Sequence, residues 1–270
     1  MEANKLYIGR AEEVLKTFPD DCIDLTVTSP PYDNLRDDRL SFEDFMVMAK
    51  ELYRVTKPGG YVVWVVADQT DKGTESLTSL KQALYFKENC GFKVHDTMIY
   101  QTSGFSNPSN NRYHQVWEYM FVFCKKKWKT FNPIKDRKNI YAGQQRWGKN
   151  AKRQKDGTMK VNPDTPPIDE FGMRFNVWKY AAGGNVSTSD PMAYKHSAIY
   201  PEKLAHDHII SWSNEGDIVL DPMVGSGTTA KMAYLAGRQY IGIDCSAKHM
   251  YDSVIPRLEL HNIPYSLTKT

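Results

Sequence analysis

At 270 residues, the chain has room for one large α/β domain with an inserted module, or for two small domains. Hydrophobic residues make up 41% of it and charged residues 25%, as in ordinary globular proteins, and no apolar run approaches the roughly 18 residues of a membrane span, so we expect no membrane association. The first residues lack the apolar core of a signal peptide and the four cysteines are widely spaced, which favours a cytoplasmic protein over one that is secreted or held by disulfides or zinc.

The net charge of +3 is small, but the charge is unevenly distributed. Residues 125–160 contain 13 lysines and arginines and 2 aspartates, a local charge of +11, which leaves −8 for the rest of the chain. Such an asymmetry indicates an anionic partner for one module. A solvated basic loop without a partner is the alternative.

The first predicted elements are a strand at residues 6–9, a helix at 11–18 and an apolar strand at 23–28. The sequence Ser29-Pro30-Pro31-Tyr32 follows directly. Two consecutive prolines cannot continue a strand, because each lacks a backbone N–H and has a fixed φ. The strand therefore ends in a rigid turn, at the place where parallel α/β sheets bind ligands. An ordinary turn with a packed tyrosine is the alternative.

The next stretch alternates helices and strands. Residues 42–56 carry an apolar stripe at helical spacing, and the sequence Lys-Pro-Gly-Gly at 57–60 is expected to end that helix. Residues 61–66 are continuously apolar, which indicates a strand buried on both faces of a parallel sheet. A helix at 75–89, a strand at 92–100, a loop at 102–114 and a strand at 117–123 follow.

Residues 125 to about 189 differ in composition from both flanks. They have few long apolar runs and many basic residues, interleaved with aromatic ones. Basic side chains suit contacts with phosphates, and aromatic rings suit packing on bases or sugars. We therefore predict an inserted nucleic-acid-binding region here, in which several aromatic residues form a small local core.

The last third of the chain predicts a ligand-binding βαβ unit. A helix from about Pro201 to residue 212 precedes a strand at 217–221, the turn Pro-Met-Val-Gly-Ser-Gly at 222–227, a helix at 230–236 and a strand at 240–243. Gly225 and Gly227 allow close approach of a ligand, and Asp244, about 20 residues past the turn, can reach ribose hydroxyls. Neither dinucleotide spacing nor a Gly-Lys-Ser/Thr sequence is present, so dinucleotide and P-loop sites are weakly supported. A helix at 246–260 completes the predicted elements.

Together, Ser-Pro-Pro-Tyr at 29–32 and Asp-Pro-Met-Val-Gly-Ser-Gly-Thr-Thr at 221–229 resemble the motifs of S-adenosylmethionine-dependent DNA methyltransferases that act on exocyclic amino groups. The catalytic motif precedes the cofactor motif, which is similar to the β-class order. The sequences at 52–60 and at 196–204, His-Ser-Ala-Ile-Tyr-Pro-Glu-Lys-Leu, also resemble this family. The family has an acidic residue after the first glycine, where this chain has Arg10.

The resemblance implies a doubly wound, mostly parallel Rossmann-like α/β sheet with a circularly permuted motif order. The expected domains are a catalytic half at 1–124, an inserted target-recognition region at 125–190 and a cofactor-binding half at 191–270. The expected cofactor is S-adenosylmethionine, and no metal is expected. The expected location is the cytoplasm of a prokaryotic or viral host cell.

The resemblance also assigns roles to residues. Ser29 Oγ and the Pro30 carbonyl are expected to accept the amino hydrogens of a flipped base, with Asp244 at the cofactor ribose and Asp221 near its methionine amine. The expected catalytic residues are Ser29, Pro30, Pro31 and Tyr32, of which Tyr32 stacks on the base. The expected cofactor-binding residues are Thr28, His196, Pro201, Lys203, Asp221, Met223, Gly225, Ser226, Gly227, Thr228 and Asp244. The expected DNA-binding residues are Arg112, Tyr113, Lys138, Arg146, Lys149, Lys152 and Arg153, with a surface or packing role as the alternative for the loop residues.

In this family, a serine before Pro-Pro-Tyr is more usual of cytosine-N4 enzymes, and Asp or Asn of adenine-N6 enzymes. The expected activity is therefore site-specific methylation of cytosine N4 in double-stranded DNA, with adenine-N6 methylation as the alternative. A catalytically silent DNA-binding subunit and an RNA methyltransferase are further alternatives. Besides DNA, a homodimer and a cognate restriction endonuclease acting on the same site are the partners to test for.

Overall fold

The apolar runs of the sequence become strands in a computed structural model of the chain. The model describes residues 2–31, 40–104, 110–144, 151–161, 166–181, 183, 186–196 and 199–270. The strands are β1 (Lys5–Ile8), β2 (Ile23–Thr28), β3 (Thr56–Val66), β4 (Thr70–Asp71), β5 (Thr74–Glu75), β6 (Lys93–Thr102), β7 (Trp117–Cys124), β8 (Arg137–Lys138), β9 (Ala151–Arg153), β10 (Met159–Val161), β11 (Phe171–Gly172), β12 (Val177–Tyr180), β13 (Ile218–Asp221), β14 (Gln239–Asp244) and β15 (Ser266–Lys269).

Nine of these strands pair into one sheet in the order β12-β6-β7-β3-β2-β13-β14-β1-β15. All neighbours run parallel except β7, which is antiparallel to both β3 and β6. The order leaves β2 beside β13, with Val219 opposite Leu25 and Leu220 opposite Thr26. Their carboxyl ends therefore meet at the edge where doubly wound sheets bind ligands. The predicted mostly parallel α/β fold is confirmed.

Helices cover both faces of this sheet. On β3, Trp64 contacts Phe45 of the helix after β2, with ring centroids 5.7 Å apart. Tyr61, which points to the opposite face, contacts Trp212 of the helix before β13 at 5.1 Å. No helix in the described part of the chain is long and apolar enough to cross a membrane. The helices are α1 (Ala11–Val14), α2 (Phe42–Val55), α3 (Thr78–Tyr85), α4 (Glu202–Trp212), α5 (Thr228–Leu235), α6 (Ala247–His249) and α7 (Ile255–Leu260), with 3-10 turns at Leu15–Thr17 and Pro191–Lys195 and π turns at Phe86–Cys90 and Met250–Val254.

Helix α2 follows the predicted apolar stripe closely. Ser41 caps it by accepting the backbone N–H of Asp44 at 3.0 Å. The stripe side chains are all fully buried against the sheet: Phe45, Met48, Ala49, Leu52 and Val55. Burying each of the four larger side chains contributes about 1.5–3 kcal/mol, so the stripe is a major source of the packing between α2 and the sheet.

Several element boundaries differ from the sequence-based expectations. Residues 57–60, expected as a turn, form an irregular start of β3, where pairing moves from Ile23–Thr56 to Leu25–Tyr61. The helix expected at 75–89 begins only at Thr78, because residues 74–75 form a hairpin with 70–71. The helix expected at 246–260 is interrupted by the π turn Met250–Val254. Neither strand β12 nor strand β15 was predicted from the sequence.

The chain forms two compact units, one comprising Met1–Asn132 and Asn176–Thr270 and the other Pro133–Phe175. The first unit holds the nine-stranded sheet. The second contains two short antiparallel pairs, β8 with β11 and β9 with β10. This second unit is shorter than the insert expected at 125–190. Residues 125–132 and 176–190 cluster with the sheet, and β12 is its edge strand.

Two asparagines fix the chain on the first unit at the points where it leaves for residues 133–175 and returns. Asn132 donates from Nδ2 to the carbonyls of Ile210 and Ser213, at 3.1 and 3.0 Å, at the end of α4. Asn176 donates from Nδ2 to Asp96 Oδ1 at 3.2 Å, on β6. Both crossings are therefore held by side-chain hydrogen bonds to regular elements of the first unit.

Candidate active site at the carboxyl end of the sheet

A hydrogen bond joins the two main sequence motifs. Thr28, the last residue of β2, donates from Oγ1 to Asp221 Oδ1 at 2.7 Å, although Asp221 follows it by 193 residues. Both side chains are buried. Ser29 and Pro30 continue directly from Thr28, and the backbone N–H of Met223 donates to the same oxygen of Asp221 at 3.1 Å. The proline-rich turn and the Gly-rich turn therefore start from one shared contact.

Asp221 lies in surroundings that disfavour a negative charge. Its side chain is 2% exposed. Burial raises its pKa to about 6 and the nearby Asp244 adds to this, against hydrogen bonds from Thr28 and the Met223 N–H that lower it. A cationic group placed beside Asp221 would favour the ionised form again. The position is therefore suited to an amine-bearing ligand.

The Gly-rich turn needs its two glycines. Gly225 has a φ of +51° and Gly227 a φ of +83°, in the left-handed region where a side chain is disfavoured. A Cβ at Gly225 would also lie 3.1 Å from His196 Nε2. At Gly227, a Cβ would lie 3.3 Å from Val254 Cγ1. The turn therefore depends on glycine for its conformation and for its fit against two neighbouring segments.

Asp244 ends β14 and holds two loops of the site. Its Oδ2 accepts the backbone N–H of Gly225 at 2.8 Å, and its Oδ1 accepts that of Ser246 at 2.8 Å. His249 Nδ1 lies 3.5 Å from Oδ1. A carboxylate has about four acceptor positions, so Asp244 keeps capacity for ligand hydroxyls.

The two ends of the motif at 196–204 lie in different surroundings. The ring of His196 packs on His249 with centroids 4.5 Å apart, beside the Gly-rich turn. Pro201 is buried at the start of α4. Lys203 has a side chain that is 66% exposed, with Nζ 3.4 Å from Asp207 Oδ1. The structure therefore brings His196 to the Gly-rich turn, whereas Lys203 contacts the next turn of α4.

A cavity of about 590 Å³ adjoins the start of α4. Pro201, Glu202 and Lys203 line one side of it, and residues 186–189 line another. Neither Asp221 nor Asp244 is among its lining residues. The cavity is therefore distinct from the contacts that join the two motifs.

Comparison with known proteins identifies the family. A model of the family described as DNA methylase, covering N6 and N4 methyltransferases, matches residues 23–254. The chain belongs to this family. It is 54% identical over 230 residues to the orphan methyltransferase M.BamHII of Bacillus amyloliquefaciens, across 85% of this chain and 86% of the relative. It is 28% identical over 257 residues to the type II methyltransferase M.BglII of Bacillus subtilis, across 92% and 67% of the two chains.

Solved structures share the fold of this methylase. A DNA modification methylase of Thermus thermophilus, complexed with S-adenosyl-L-methionine, aligns with a TM-score of 0.63 and 21% identity over 99% of both chains. The PvuII DNA methyltransferase, which is cytosine-N4-specific, aligns with a TM-score of 0.63 and 19% identity, covering 92% of this chain and 84% of its own. These similarities support the Rossmann-like α/β fold of the chain.

Two further contacts lie beneath the site of the methylase. Thr229 donates from Oγ1 to the Val27 carbonyl at 3.1 Å and also hydrogen-bonds the hydroxyl of Tyr200. Arg257, fully buried, donates to the Ser226 carbonyl at 2.9 Å. Thr229 belongs to the Gly-Ser-Gly-Thr-Thr motif, so the motif signals it. No sequence pattern marks Arg257, which follows Ser226 by 31 residues.

The loop residues predicted to bind DNA have different surroundings. Arg112 donates to the Gly73 carbonyl at 2.6 Å and to Thr70 Oγ1 at 3.2 Å, so it holds the β4–β5 hairpin. These contacts favour the packing role that is the alternative for Arg112. Tyr113, next to it, is 99% exposed.

The remaining predicted DNA contacts belong to the second unit. Lys138 on β8 and Arg153 on β9 are exposed. The backbone of Lys152 pairs with that of Lys160. The structure does not describe the side chain of Lys152. The described ranges do not include Tyr32, Arg146 and Lys149.

Proposed function

We propose that this methylase transfers the methyl group of S-adenosylmethionine to the exocyclic N4 of a cytosine that has left double-stranded DNA. The observation that carries the proposal is the 2.7 Å hydrogen bond between Thr28 and Asp221. It starts the Ser29-Pro30-Pro31 turn and the Gly-rich turn from one point. An enzyme that joins a cofactor to a base needs the two binding turns side by side, because positioning is the main source of catalysis in such a transfer.

The residues of the Gly-rich turn fit S-adenosylmethionine. Asp221, with its pKa raised to about 6 by burial, suits the methionine amine, and Asp244 suits the ribose hydroxyls. The positive φ values of Gly225 and Gly227 let the backbone approach the ligand closely. The cofactor supplies a methyl group on a positively charged sulfur. Within the described ranges, no group of three or more His, Cys, Asp or Glu side chains could hold a metal ion.

The proline-rich turn suits an amino group. The lone pair of an exocyclic amine is delocalised into the ring, so acceptors at its hydrogens favour the pyramidal geometry in which it attacks. Ser29 Oγ and the Pro30 carbonyl supply two such acceptors at the end of β2. Tyr32 stays a prediction for stacking on the base, a contact worth about 1–3 kcal/mol per base. The base has to leave the duplex to reach them.

Ser29 favours cytosine as the base. A hydroxyl accepts one amino hydrogen and can donate its own proton to the neighbouring ring nitrogen, N3 of cytosine. The PvuII methyltransferase, of the same fold, is cytosine-N4-specific. Adenine N6 is the alternative target.

The unit Pro133–Phe175 is the region we assign to DNA recognition. It carries ten lysines and arginines against five acidic residues. Exposed Lys138 and Arg153 suit contacts with phosphates. Several large apolar side chains of the unit, including Ile140 and Tyr141, are also exposed and suit packing on bases or sugars. A homodimer and a cognate restriction endonuclease remain predictions.

The test is a product analysis. The purified protein is incubated with unmethylated duplex DNA and methyl-labelled S-adenosylmethionine, and the DNA is digested to nucleosides for mass spectrometry. Labelled N4-methylcytosine is the expected product. Labelled N6-methyladenine would overturn the assignment of the base from Ser29.

Two controls complete the product analysis. A reaction with RNA of the same sequence, run in competition with the duplex, distinguishes an RNA methyltransferase. Absence of any labelled nucleoside, with S-adenosylmethionine binding retained, would contradict the proposal and point to a binding-only protein.

A further inference from the structure

Three buried charged side chains and Glu202, whose side chain is 22% exposed, form a cluster behind the Gly-rich turn. Arg257 donates from Nε to Asp190 Oδ2 at 2.8 Å and from Nη2 to Glu202 Oε1 at 2.6 Å. Lys231 donates to the same two oxygens, each at 2.7 Å. Arg257 is 0% exposed, Asp190 2% and Lys231 4%. His261 Nε2, at 2.9 Å, lies against the other oxygen of Asp190.

The cluster is attached directly to the Gly-rich turn. Arg257 Nη1 donates to the Ser226 carbonyl and to Thr228 Oγ1, both at 2.9 Å. Ser226 lies between the two glycines that need left-handed backbone conformations. A guanidinium has five donors in a fixed plane, so one side chain fixes a carbonyl and a hydroxyl of the turn together.

The cluster also reaches the segments that pack on the turn from outside. Arg257 Nη2 donates to Thr188 Oγ1 at 3.1 Å, and Thr188 donates to Glu202 at 2.6 Å. Glu202 is the first residue of α4, and the chain between Thr188 and α4 carries His196, which lies beside Gly225. One group of charges therefore ties together α5, α7, the start of α4 and the segment that leads to His196.

Stability alone does not explain such a cluster. Burying charges carries a desolvation cost, and well-packed apolar residues of similar volume are often equally stable. The charges are nevertheless kept: burial by itself would raise the pKa of Asp190, but hydrogen bonds from Lys231, Arg257 and His261 lower it well below its usual range. The pKa of Glu202 is lowered in the same way, against burial, by hydrogen bonds from Lys231, Thr188 and Arg257. What the cluster adds over apolar packing is direction, because Asp190 and Glu202 hold the Arg257 guanidinium so that its Nη1 donates to two atoms of the turn.

We propose that Arg257, held by Asp190 and Glu202, is a positioning residue that keeps the turn at Gly225–Thr228 in the geometry that binds S-adenosylmethionine. It acts through the Ser226 carbonyl and the Thr228 hydroxyl. The inference rests on the cofactor site of the proposed function and is independent of which base is methylated.

The test compares two buried arginines. Arg238 is 9% exposed and donates to the Ser213 carbonyl at 2.7 Å and to Ser213 Oγ at 3.1 Å, outside the Gly-rich turn. The variants Arg257→Lys and Arg238→Lys are purified, their melting temperatures are measured, and S-adenosylmethionine is titrated by calorimetry without DNA. Lysine keeps the charge in both but cannot reach the same set of acceptors.

For Arg257→Lys, we expect an affinity for S-adenosylmethionine that is about 10- to 100-fold lower, as for other small displacements of binding groups. In turnover assays, its KM for S-adenosylmethionine rises, and kcat recovers at saturating cofactor. Arg238→Lys is expected to lower the melting temperature with cofactor affinity within about twofold of the wild type. Equal cofactor affinities in the two variants, at similar losses of melting temperature, would show that Arg257 is only structural.

A milder variant covers the case in which Arg257→Lys does not fold. Glu202→Gln keeps the volume and one acceptor but removes the charge that holds Arg257 Nη2. A weaker affinity for S-adenosylmethionine in this variant supports the proposal, and an unchanged affinity refutes it. Failure of the wild type itself to bind S-adenosylmethionine would instead overturn the proposed function.

Discussion

The two units of this methylase differ in the burial of their polar groups, since the buried polar and charged side chains in the described part of the chain all belong to the first unit. In the first unit, polar side chains at the carboxyl end of the sheet contact one another, as in Thr28 with Asp221 and Asp244 with the Gly225 N–H. In the second, Lys138 and Arg153 are exposed. Preorganised contacts suit chemistry, which needs fixed geometry, and exposed charge suits a long anionic partner. The comparison predicts that changes in the first unit act on cofactor and turnover, and changes in the second on DNA affinity.

The largest effect is expected at Ser29. Ser29→Ala removes one acceptor for the amino hydrogens and should lower the methylation rate at least about 100-fold, as removal of one catalytic hydrogen bond does elsewhere. Affinities for duplex DNA and for S-adenosylmethionine should stay within about threefold of the wild type, because the β2 strand and the Thr28–Asp221 contact remain. Single-turnover rates and two binding titrations check this. An equal loss of DNA binding would show that Ser29 is not the catalytic acceptor.

Gly225→Ala is expected to weaken cofactor binding about tenfold or more. An alanine at this position has to keep the left-handed φ of +51°, at a cost of about 1–2 kcal/mol. Its methyl group would lie 3.1 Å from His196 Nε2. Gly216→Ala is the matched control, because Gly216 has a φ of +82° with nothing within 4 Å of its Cβ. The two variants share a left-handed backbone, so Gly216→Ala controls for a general loss of stability, and a loss of calorimetric affinity confined to Gly225→Ala is specific to the Gly-rich turn. Similar losses of affinity in both would show that the effect is not specific to this turn.

The raised pKa of Asp221 predicts that affinity for S-adenosylmethionine changes roughly tenfold per pH unit below pH 6. Since its pKa is raised to about 6, the ionised form that pairs with an amine is depleted below that pH. Affinity for S-adenosylmethionine should therefore fall as the pH drops below 6 and be flat above it. Asp221→Asn should bind more weakly at pH 8 and show no such slope. A slope that persists in Asp221→Asn would place the titration on another group.

The Asp221 carboxyl also makes the free energy of unfolding depend on pH, in the opposite direction to its effect on cofactor affinity. Because the folded pKa lies above the ordinary value of 3.8, the folded state binds more protons between these values. The free energy of unfolding of the ligand-free wild type should fall by about 2 kcal/mol relative to Asp221→Asn as the pH rises from 4 to above 6. Urea titrations of both proteins measure this. The difference between them removes the contribution of Asp190 and Glu202, whose lowered pKa values act only towards acid pH.

The smallest effects are expected in the second unit. Lys138→Ala and Arg153→Ala should each reduce DNA affinity a few-fold and lower the slope of log affinity against log salt by about 0.9, the value for one phosphate contact. Affinity for S-adenosylmethionine should not change. Lys50→Ala, an exposed lysine of α2 in the first unit, serves as the control. Equal slopes for all three variants would place DNA binding elsewhere.

The sequence predicted the parts of the fold that depend on local patterns. The stripe of α2 and the continuous apolarity of residues 61–66 correspond to full burial, since periodicity reports directly which faces are covered. Strand β12 was assigned to the insert because Trp178 and Tyr180 follow a basic, aromatic-rich stretch. Only pairing with β6 shows that both rings are buried in the sheet edge. Composition averages over a region, and it cannot locate a four-residue edge strand.

The residues of the site also divide into those that local sequence patterns predict and those that they do not. The short motifs predicted Thr28, Asp221 and Asp244, which the structure joins to the two turns. Arg257 could not be predicted, because its partners Ser226 and Asp190 are distant in sequence and a single arginine in a helix has no signature. For Arg112, the sequence left both a DNA contact and a packing role open, and only the structure shows that its Nη2 donates to the Gly73 carbonyl. Long-range polar contacts are a property of topology and leave no periodic trace.

The two asparagines at the unit borders hold the chain on both sides of residues 133–175. Because Asn132 is hydrogen-bonded to the end of α4 and Asn176 to β6, both ends of residues 133–175 are held whatever lies between them. We therefore predict that a segment of different length or composition, spliced at these two points, leaves the strands that lead to Ser29 and Asp221 in place. If the segment recognises DNA as proposed, such grafting between relatives would give chimaeras that keep one chemistry and acquire new target sequences.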